Sequence, residues 1–386
     1  MNPTDNRMKV IIAICAVAVC IAGTYVVWDQ TSQHDDKTVV ECSVTKMNEF
    51  GAAVLSADIL TMDSLKAPIG SDLFIEFNGS TYTGIFVENY NGVPTSSLFV
   101  NFNSYDKEYT LGVFNGTFYG EHSIAVGDKV KLSVAGMNEY YPRITNYLKG
   151  YSDDSVDYSS DQEFANYRIL SGGDMKEGKV YRCSTPWGLN GRGDAGDAFL
   201  KEVGVERLIG MDKSKEGLEE IVATKGELYS SQLFLNDKVD ARFLSPAIHS
   251  HPEEIRWVID CILDSDGSIG IFCKLGRDRT GIYCLVLQAL AGATLEEVVN
   301  EYMISYTNFY GIKKGTDEYD AVYDMTLMRQ LYLFQHPEMI DHMLDIDWSK
   351  VELKDFDLQK VITDFLTDYV DIPEEKIDAL KAWLTE

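Results

Sequence analysis

Positive charge is scarce in this chain. Its 386 residues carry 34 Lys and Arg against 61 Asp and Glu, a net charge of −27. A general nucleic-acid binder needs a basic face to displace counterions, so that class is excluded. The acidity serves solubility, and a site for any anionic ligand has to be positive locally against this background. Cysteines are present but form no signature: residues 15, 20, 42, 183, 261, 273 and 284 give no CxxC pair and no Cys/His cluster with zinc spacing. No metal site, no cofactor and no disulfide framework are therefore expected, and most of these thiols read as small buried hydrophobes. His249 and His251, in a loop with Pro246 and Pro252, are expected to pack or face solvent rather than to ligate. Disorder throughout is excluded too, because 45% hydrophobic and 25% charged residues are ordinary for a globular chain.

One stretch lacks charge altogether. Val10–Trp28 follows Arg7 and Lys9 and precedes Asp29, Asp35 and Asp36. At a helical rise it spans about 28 Å, close to the hydrocarbon thickness of a bilayer. It reads as an uncleaved signal-anchor or a cleaved signal peptide; its length and the absence of a small-residue cleavage site favour the anchor. The basic flank puts the short N-terminus in the cytoplasm and the rest of the chain outside, as a single-pass membrane protein, or secreted if the segment is cleaved. The expected division is 1–37 for tip, transmembrane anchor and linker, 38–145 for a small all-β barrel domain, and 163–386 for an α/β domain with a central sheet flanked by helices. The β reading rests on short β-branched and aromatic runs (73–77, 81–87, 97–102, 129–134) punctuated by Asn78-Gly79, Asn91-Gly92 and Asn115-Gly116, which are hairpin signals. Spacing near ten residues suggests a small barrel or sandwich. Past the polar break at 146–163, strands and helices alternate, with 203–210 and 269–272 as strands and 253–263 and 280–291 as helices.

The segment with the clearest chemistry is Cys273-Lys274-Leu275-Gly276-Arg277-Asp278-Arg279-Thr280-Gly281, between a buried strand and a buried helix. A loop there presents backbone N–H groups at a helix N-terminus, which binds an anion. Phosphoryl transfer also needs a nucleophile beneath the phosphorus, and a cysteine at the loop entrance serves once N–H groups and the helix end favour its thiolate. An arginine six positions on can curl back, its planar fork taking two phosphate oxygens. Gly276 permits close backbone approach, and the Thr280 hydroxyl can donate to the sulfur. Cys273 is thus the expected nucleophile and Arg279 the phosphate clamp. Lys274, Leu275, Gly276, Arg277 and Thr280 complete the phosphate-binding loop, with Lys274 and Arg277 read as either a basic rim or ordinary surface charge.

That Cys-x5-Arg-Thr-Gly pattern resembles the protein tyrosine phosphatase superfamily, and its Gly-Arg-Asp-Arg-Thr-Gly form resembles the bacterial tyrosine/lipid phosphatase branch. Val180-Tyr181-Arg182-Cys183-Ser184 and the Ala291–Tyr306 segment are similar to flanking parts of that domain. The resemblance implies a phosphomonoester hydrolase acting through a cysteinyl-phosphate, with Asp278 as a general acid; Asp237 and Asp240 are upstream alternatives. It implies a phosphorylated protein, phospholipid or inositol phosphate as substrate. Two departures stand out: Phe272 where the family usually has histidine, and Gly210-Met211-Asp212-Lys213 where it tends to run Asp-Leu-Arg. These keep open a second reading, a catalytically weak phospho-ligand-binding or scaffold protein at the cell surface. Residues 77–87 and 114–130 resemble the β-barrel domain that ends S-adenosylmethionine hydroxide adenosyltransferases, which implies a binding or spacer role but no adenosyl transfer.

Overall fold

The computed structural model describes residues 38–386 apart from 49–50, 89, 91, 104–105, 119–121, 139, 149, 189–190, 246 and 355. The apolar span expected at Val10–Trp28, with Cys15 and Cys20, lies outside the described residues. No helix among the described residues is long and apolar enough to cross a membrane. Residues 38–346 and 352–386 form one unit. Asp347–Val351 falls outside that unit, and in it Asp347 caps a single 3-10 turn over Trp348–Lys350.

The first part of the chain is strand-rich because its apolar residues alternate. Along β3 (Ser71–Phe77), Leu73, Ile75 and Phe77 are buried while Phe74 and Glu76 are exposed, the period of two that turns one strand face inward. With β1 (Val40–Met47), β2 (Ala53–Leu55), β4 (Ser80–Val87), β5 (Leu98–Asn103), β6 (Glu108–Val113) and β7 (Lys129–Met137) it closes a barrel in the order β1-β2-β6-β5-β4-β3-β7. Closure leaves no unpaired edge. Asn78 and Gly79 both have positive φ, 50° and 80°, as a two-residue hairpin turn requires, and they bring Phe77 opposite Ser80.

The other Asn-Gly signals do not make hairpins. β4 and β5 run parallel, Gly84 opposite Leu98, so the residues around Gly92 form a crossover. Val93 within it is buried, and the Thr95 N–H donates to the Met325 carbonyl at 2.9 Å, tying the segment to the second half of the chain. Asn115-Gly116 likewise opens a long connection, since β7 pairs with β1 and β3 rather than β6.

The second part holds a five-stranded sheet of β8 (Arg168–Ile169), β9 (Val180–Ser184), β10 (Arg207–Gly210), β11 (Val239–Ala241) and β12 (Ile269–Cys273), ordered β11-β10-β12-β9-β8. All neighbours are parallel except β8 and β9. β9 and β12 are buried at every position, as strands covered on both faces must be. Helix α1 (Arg192–Val203) ends at Gly204, φ +68°, so the strand expected from Val203 begins only at Arg207. Helix α2 (Pro252–Leu263) turns Ile255, Val258, Ile259 and Ile262 inward, the helical stripe that packs on a sheet. Helix α3 (Asp278–Leu290) starts two residues earlier than expected and is buried from Thr280 to Leu290. Helix α4 (Leu295–Tyr310) is started by a capping box of Thr294 and Glu297. Because the strands run parallel, the loops after Ser184, Gly210, Ala241 and Cys273 share one end of the sheet, where open α/β sheets place their ligands.

Candidate active site

Cys273 is the last residue of β12, opposite Ser184, and α3 begins five residues later at Asp278. The four residues between them turn tightly because Gly276 has φ +61° and lies against the backbone of β9; any Cβ there would collide with the Cys183 carbonyl. The loop's carbonyls are tied back. Cys273 O accepts from Gly276 N at 3.2 Å, and Lys274 O from Thr185 N at 3.4 Å. Leu275 O and Gly276 O accept from Asn166 Nδ2 at 3.0 and 3.1 Å, and Gly276 O also from Arg182 at 2.6 Å. Helix α3 has no capping side chain, and among the described residues no acceptor meets the amides of Leu275, Asp278 or Arg279. A loop whose carbonyls face away from its cup while its N–H groups stay open is a cradle for an oxyanion.

Beneath this cup lies a buried charge cluster that sequence reading missed. Arg182, fully buried, and Arg168 both pair with Glu301 of α4, each at 2.9 Å. Asn166 links the cluster to the loop, its Oδ1 accepting from Arg168 at 2.7 Å while its Nδ2 reaches the loop carbonyls. Two guanidinium groups on one carboxylate leave a net positive charge behind the loop. Burial and the neighbouring Arg182 pull Arg168 down to about 10, which still leaves it protonated at neutral pH. This is the local positive field that an acidic chain needs at an anion site.

At the mouth, Met211 N donates to the Phe272 carbonyl at 3.0 Å, so the residue after β10 sits beside Cys273. Arg279 donates to the Met211 carbonyl at 2.6 Å and the Leu244 carbonyl at 3.4 Å, and its guanidinium lies 5.3 Å from the Phe243 ring centre. Cys273 and Arg279 are therefore at the same end of the sheet, with Arg279 held by the loops that follow β10 and β11. Lys274 is exposed at this mouth. The Thr280 hydroxyl is buried and makes no hydrogen bond among the described residues.

Asp212, next after Met211, was not among the acids singled out from the sequence. Its Oδ1 is buried without a hydrogen-bond partner, and burial pushes its carboxyl above the ordinary range even though Arg279, Lys213 and Lys274 pull the other way. The acids named from sequence stand differently. Asp278 is held by Arg277 at 2.9 and 3.0 Å and receives the Tyr306 hydroxyl at 3.3 Å. Arg277 is no rim residue: it is buried, bonds the Tyr310 hydroxyl, and lies 5.2 and 5.5 Å from the Tyr306 and Tyr310 ring centres. Asp237 precedes β11, at the opposite end of the sheet from Cys273, and pairs with Lys215 at 2.5 Å, which holds it below the usual carboxylate range. Asp240 lies within β11 and pairs with Arg207 at 2.5 Å.

Phe272 and Gly210 are opposite one another in the ladder, and a Cβ on Gly210 would come within 2.7 Å of the Phe272 ring. The two departures from the family pattern thus compensate: glycine makes the room that the phenyl ring fills against Trp187. The other described thiols are buried, and burial disfavours their thiolates, pushing Cys42 and Cys284 up to about 11, Cys261 to about 12 and Cys183 higher still. His249 is packing: it is buried beside Phe334 and Phe365, and burial pulls it down to about 3.

Glu254 of α2 orders the loop behind Arg279. It accepts the Ser245 N–H at 2.9 Å, and burial pushes its carboxyl up to about 7. The folded chain therefore holds a proton there that the unfolded chain releases near 4.5. That stabilisation is complete below the unfolded value and is lost as pH rises through 7. Glu254→Gln is expected to remove this dependence, narrowing the drop in Tm between mildly acidic and mildly alkaline buffer by about 2–4 °C in thermal melts.

Comparison with known proteins places this part of the chain in a family. A curated tyrosine-protein phosphatase from Nostoc commune is 36% identical over 70 residues, 18% of this chain; the chain spans only 24% of that relative's length. An uncharacterized conserved protein from Thermotoga maritima, of known crystal structure, aligns over 24% of this chain and 35% of its own, at 16% identity and a TM-score of 0.23. Residues 163–386, more than half of the sequence and including the whole Cys273–Arg279 loop, match the tyrosine phosphatase family as a unit, and the chain belongs to that family.

Proposed function

We propose that the chain hydrolyses phosphomonoesters through a cysteinyl-phosphate formed on Cys273. The observation that carries this is the loop itself: carbonyls tied back by Asn166, Arg182 and Thr185, open amides, buried positive charge behind, and sulfur and guanidinium at one sheet end. The substrate phosphate rests on the loop amides and Arg279. The Cys273 thiolate attacks phosphorus in line, so an S–P bond forms as the ester P–O bond breaks, and an acid protonates the departing oxygen. Water then attacks phosphorus, the S–P bond breaks, phosphate leaves, and the acid recovers its proton from the water. Fixed dipoles and Arg279 stabilise the charge spread over the transferring group, the part a metal plays elsewhere. Thiol alkylation is expected to abolish turnover of an aryl phosphate, and inorganic phosphate to protect against it. Hydrolysis that survives complete alkylation of Cys273 contradicts the reading.

The acid is assigned to Asp212 rather than Asp278, because Asp278 is already engaged by Arg277 and Tyr306 whereas Asp212 has a buried, unpartnered oxygen and a raised carboxyl value. Burial favours the protonated form of Asp212, the form a general acid needs, and its contribution falls as rising pH removes that proton. Asp212→Asn is expected to lower kcat on an alkyl phosphate by about 10²–10⁴-fold and on a nitrophenyl phosphate far less, since a good leaving group needs no proton. If Asp278→Asn shows that leaving-group dependence and Asp212→Asn does not, the assignment is wrong.

Substrates of this reading are phosphorylated proteins, phosphoinositides or inositol phosphates. The barrel is assigned a binding or spacer role, the role implied by the sequence resemblance of residues 77–87 and 114–130 alone. Anchoring through Val10–Trp28, with the phosphatase half outside the cytoplasm, follows from the uncharged run and its flanks. Protease added to intact cells should then remove the phosphatase half; full protection there, with digestion after lysis, overturns that placement.

A further inference from the structure

Away from the phosphatase loop, two histidines and an aspartate meet where the barrel faces the C-terminal segment. His122 comes from the connection between β6 and β7; His342 and Asp345 come from the 3-10 segment Pro337–Asp345. His122 Nε2 lies 2.9 Å from Asp345 Oδ2, and His342 Nδ1 lies 3.8 Å from the same oxygen. One donor atom from each of the three residues falls within 4.8 Å of the others. Around zinc, with bonds of about 2.0–2.1 Å, tetrahedral ligand atoms stand roughly 3.3–3.4 Å apart, between the two separations seen here.

The setting also suits a metal. Tyr82 Oη is 2.8 Å from His122 Nδ1, and the Tyr82 ring stacks on Phe77 with centres 4.7 Å apart. When Nδ1–H donates to that phenol oxygen, Nε2 offers its lone pair toward Asp345; a backing partner of this kind fixes the tautomer of a ligating histidine. Without an ion the same pair is an Nε2–H to carboxylate hydrogen bond, and metal binding then goes with a change of tautomer that places the ring proton on Nδ1. The His122 side chain is buried, whereas those of His342 and Asp345 are half exposed, so an ion can enter and water can complete the coordination. A set of two imidazoles and one carboxylate favours zinc-type ions over magnesium or calcium.

We propose that His122, His342 and Asp345 bind a zinc-type divalent cation that clamps the barrel to the segment following helix Arg329–Gln335. The clamp reinforces a junction already made by apolar and polar contact. Met343 packs so closely on Gly116 that a side chain there would displace it, and Arg329 donates to the Thr95 carbonyl at 2.7 Å. His122 and Asp345 are 223 residues apart, which is why ligand spacing in the sequence showed nothing.

The test uses the full chain, stripped with a chelator and dialysed, then titrated with Co2+ followed by optical absorption and with Zn2+ followed by calorimetry. Expected are one ion per chain, the intense visible band of four-coordinate Co2+, its displacement by Zn2+, and a higher Tm with Zn2+. His342→Ala and Asp345→Asn, both at half-exposed positions that tolerate truncation, should each weaken binding at least about 100-fold and remove the Tm gain. Tyr82→Phe, which keeps the stacked ring, should weaken it by about 10-fold. Absence of stoichiometric binding by the wild-type chain, or binding that survives unchanged in both ligand variants, overturns the proposal.

Discussion

Cys273→Ser is expected to lower turnover of an aryl phosphate by at least about 10⁴-fold while phosphate binding stays within a few-fold of wild type. The two halves of that result come from different atoms. In the proposed mechanism turnover depends on the sulfur that forms the covalent bond, and a serine hydroxyl at neutral pH is a far weaker nucleophile. Binding depends on the loop amides, on Arg279 and on the buried charge of Arg168 and Arg182 against Glu301, none of which the substitution touches. Calorimetry with inorganic phosphate beside a stopped assay separates them. Joint loss of binding and turnover would mean that the serine has disturbed the loop; full turnover would remove the nucleophile from the account.

The second large effect lies one layer deeper. Arg182→Met takes away the donor to Gly276 O at 2.6 Å and one of the two guanidinium partners of Glu301. Breaking a buried pair by removing one partner costs about 3–5 kcal/mol, and a loop displaced by about 1 Å costs on the order of 10² in rate. The variant is therefore expected to melt several degrees lower and to lose about 100-fold in kcat/KM where circular dichroism still shows it folded. Arg182→Lys is expected to restore part of the stability but little of the rate, because a single ammonium cannot serve both Glu301 and the Gly276 carbonyl with the fork's geometry. Unchanged activity in folded Arg182→Met would show that the loop holds its shape without this support.

These two residues also mark how far the sequence could be read. Cys273, Gly276 and Arg279 are close neighbours in the chain, so their motif, the strand before them and the helix after them are visible locally, as is the Asn78-Gly79 turn. Asn91-Gly92 carries the same turn signal but joins parallel strands, because pairing across the barrel is decided by distant residues. Arg182 and Glu301 are 119 residues apart, and Asn166 and Gly276 are 110 apart; nothing in spacing announces that they meet at one loop. Arg277 looked like a surface charge because burial by Tyr306 and Tyr310 cannot be read from its neighbours in sequence. Asp212 went unremarked because the burial of its carboxyl near Arg279 cannot be read from its neighbours in sequence.

The most direct test of the account is rapid-quench mass spectrometry during turnover of an aryl phosphate. The account predicts one phosphoryl group on the peptide containing Cys273, formed in the burst of aryl alcohol release and absent from Cys273→Ser. Steady turnover with that peptide unmodified at every time point, or a phosphoryl group carried by another residue, would contradict it.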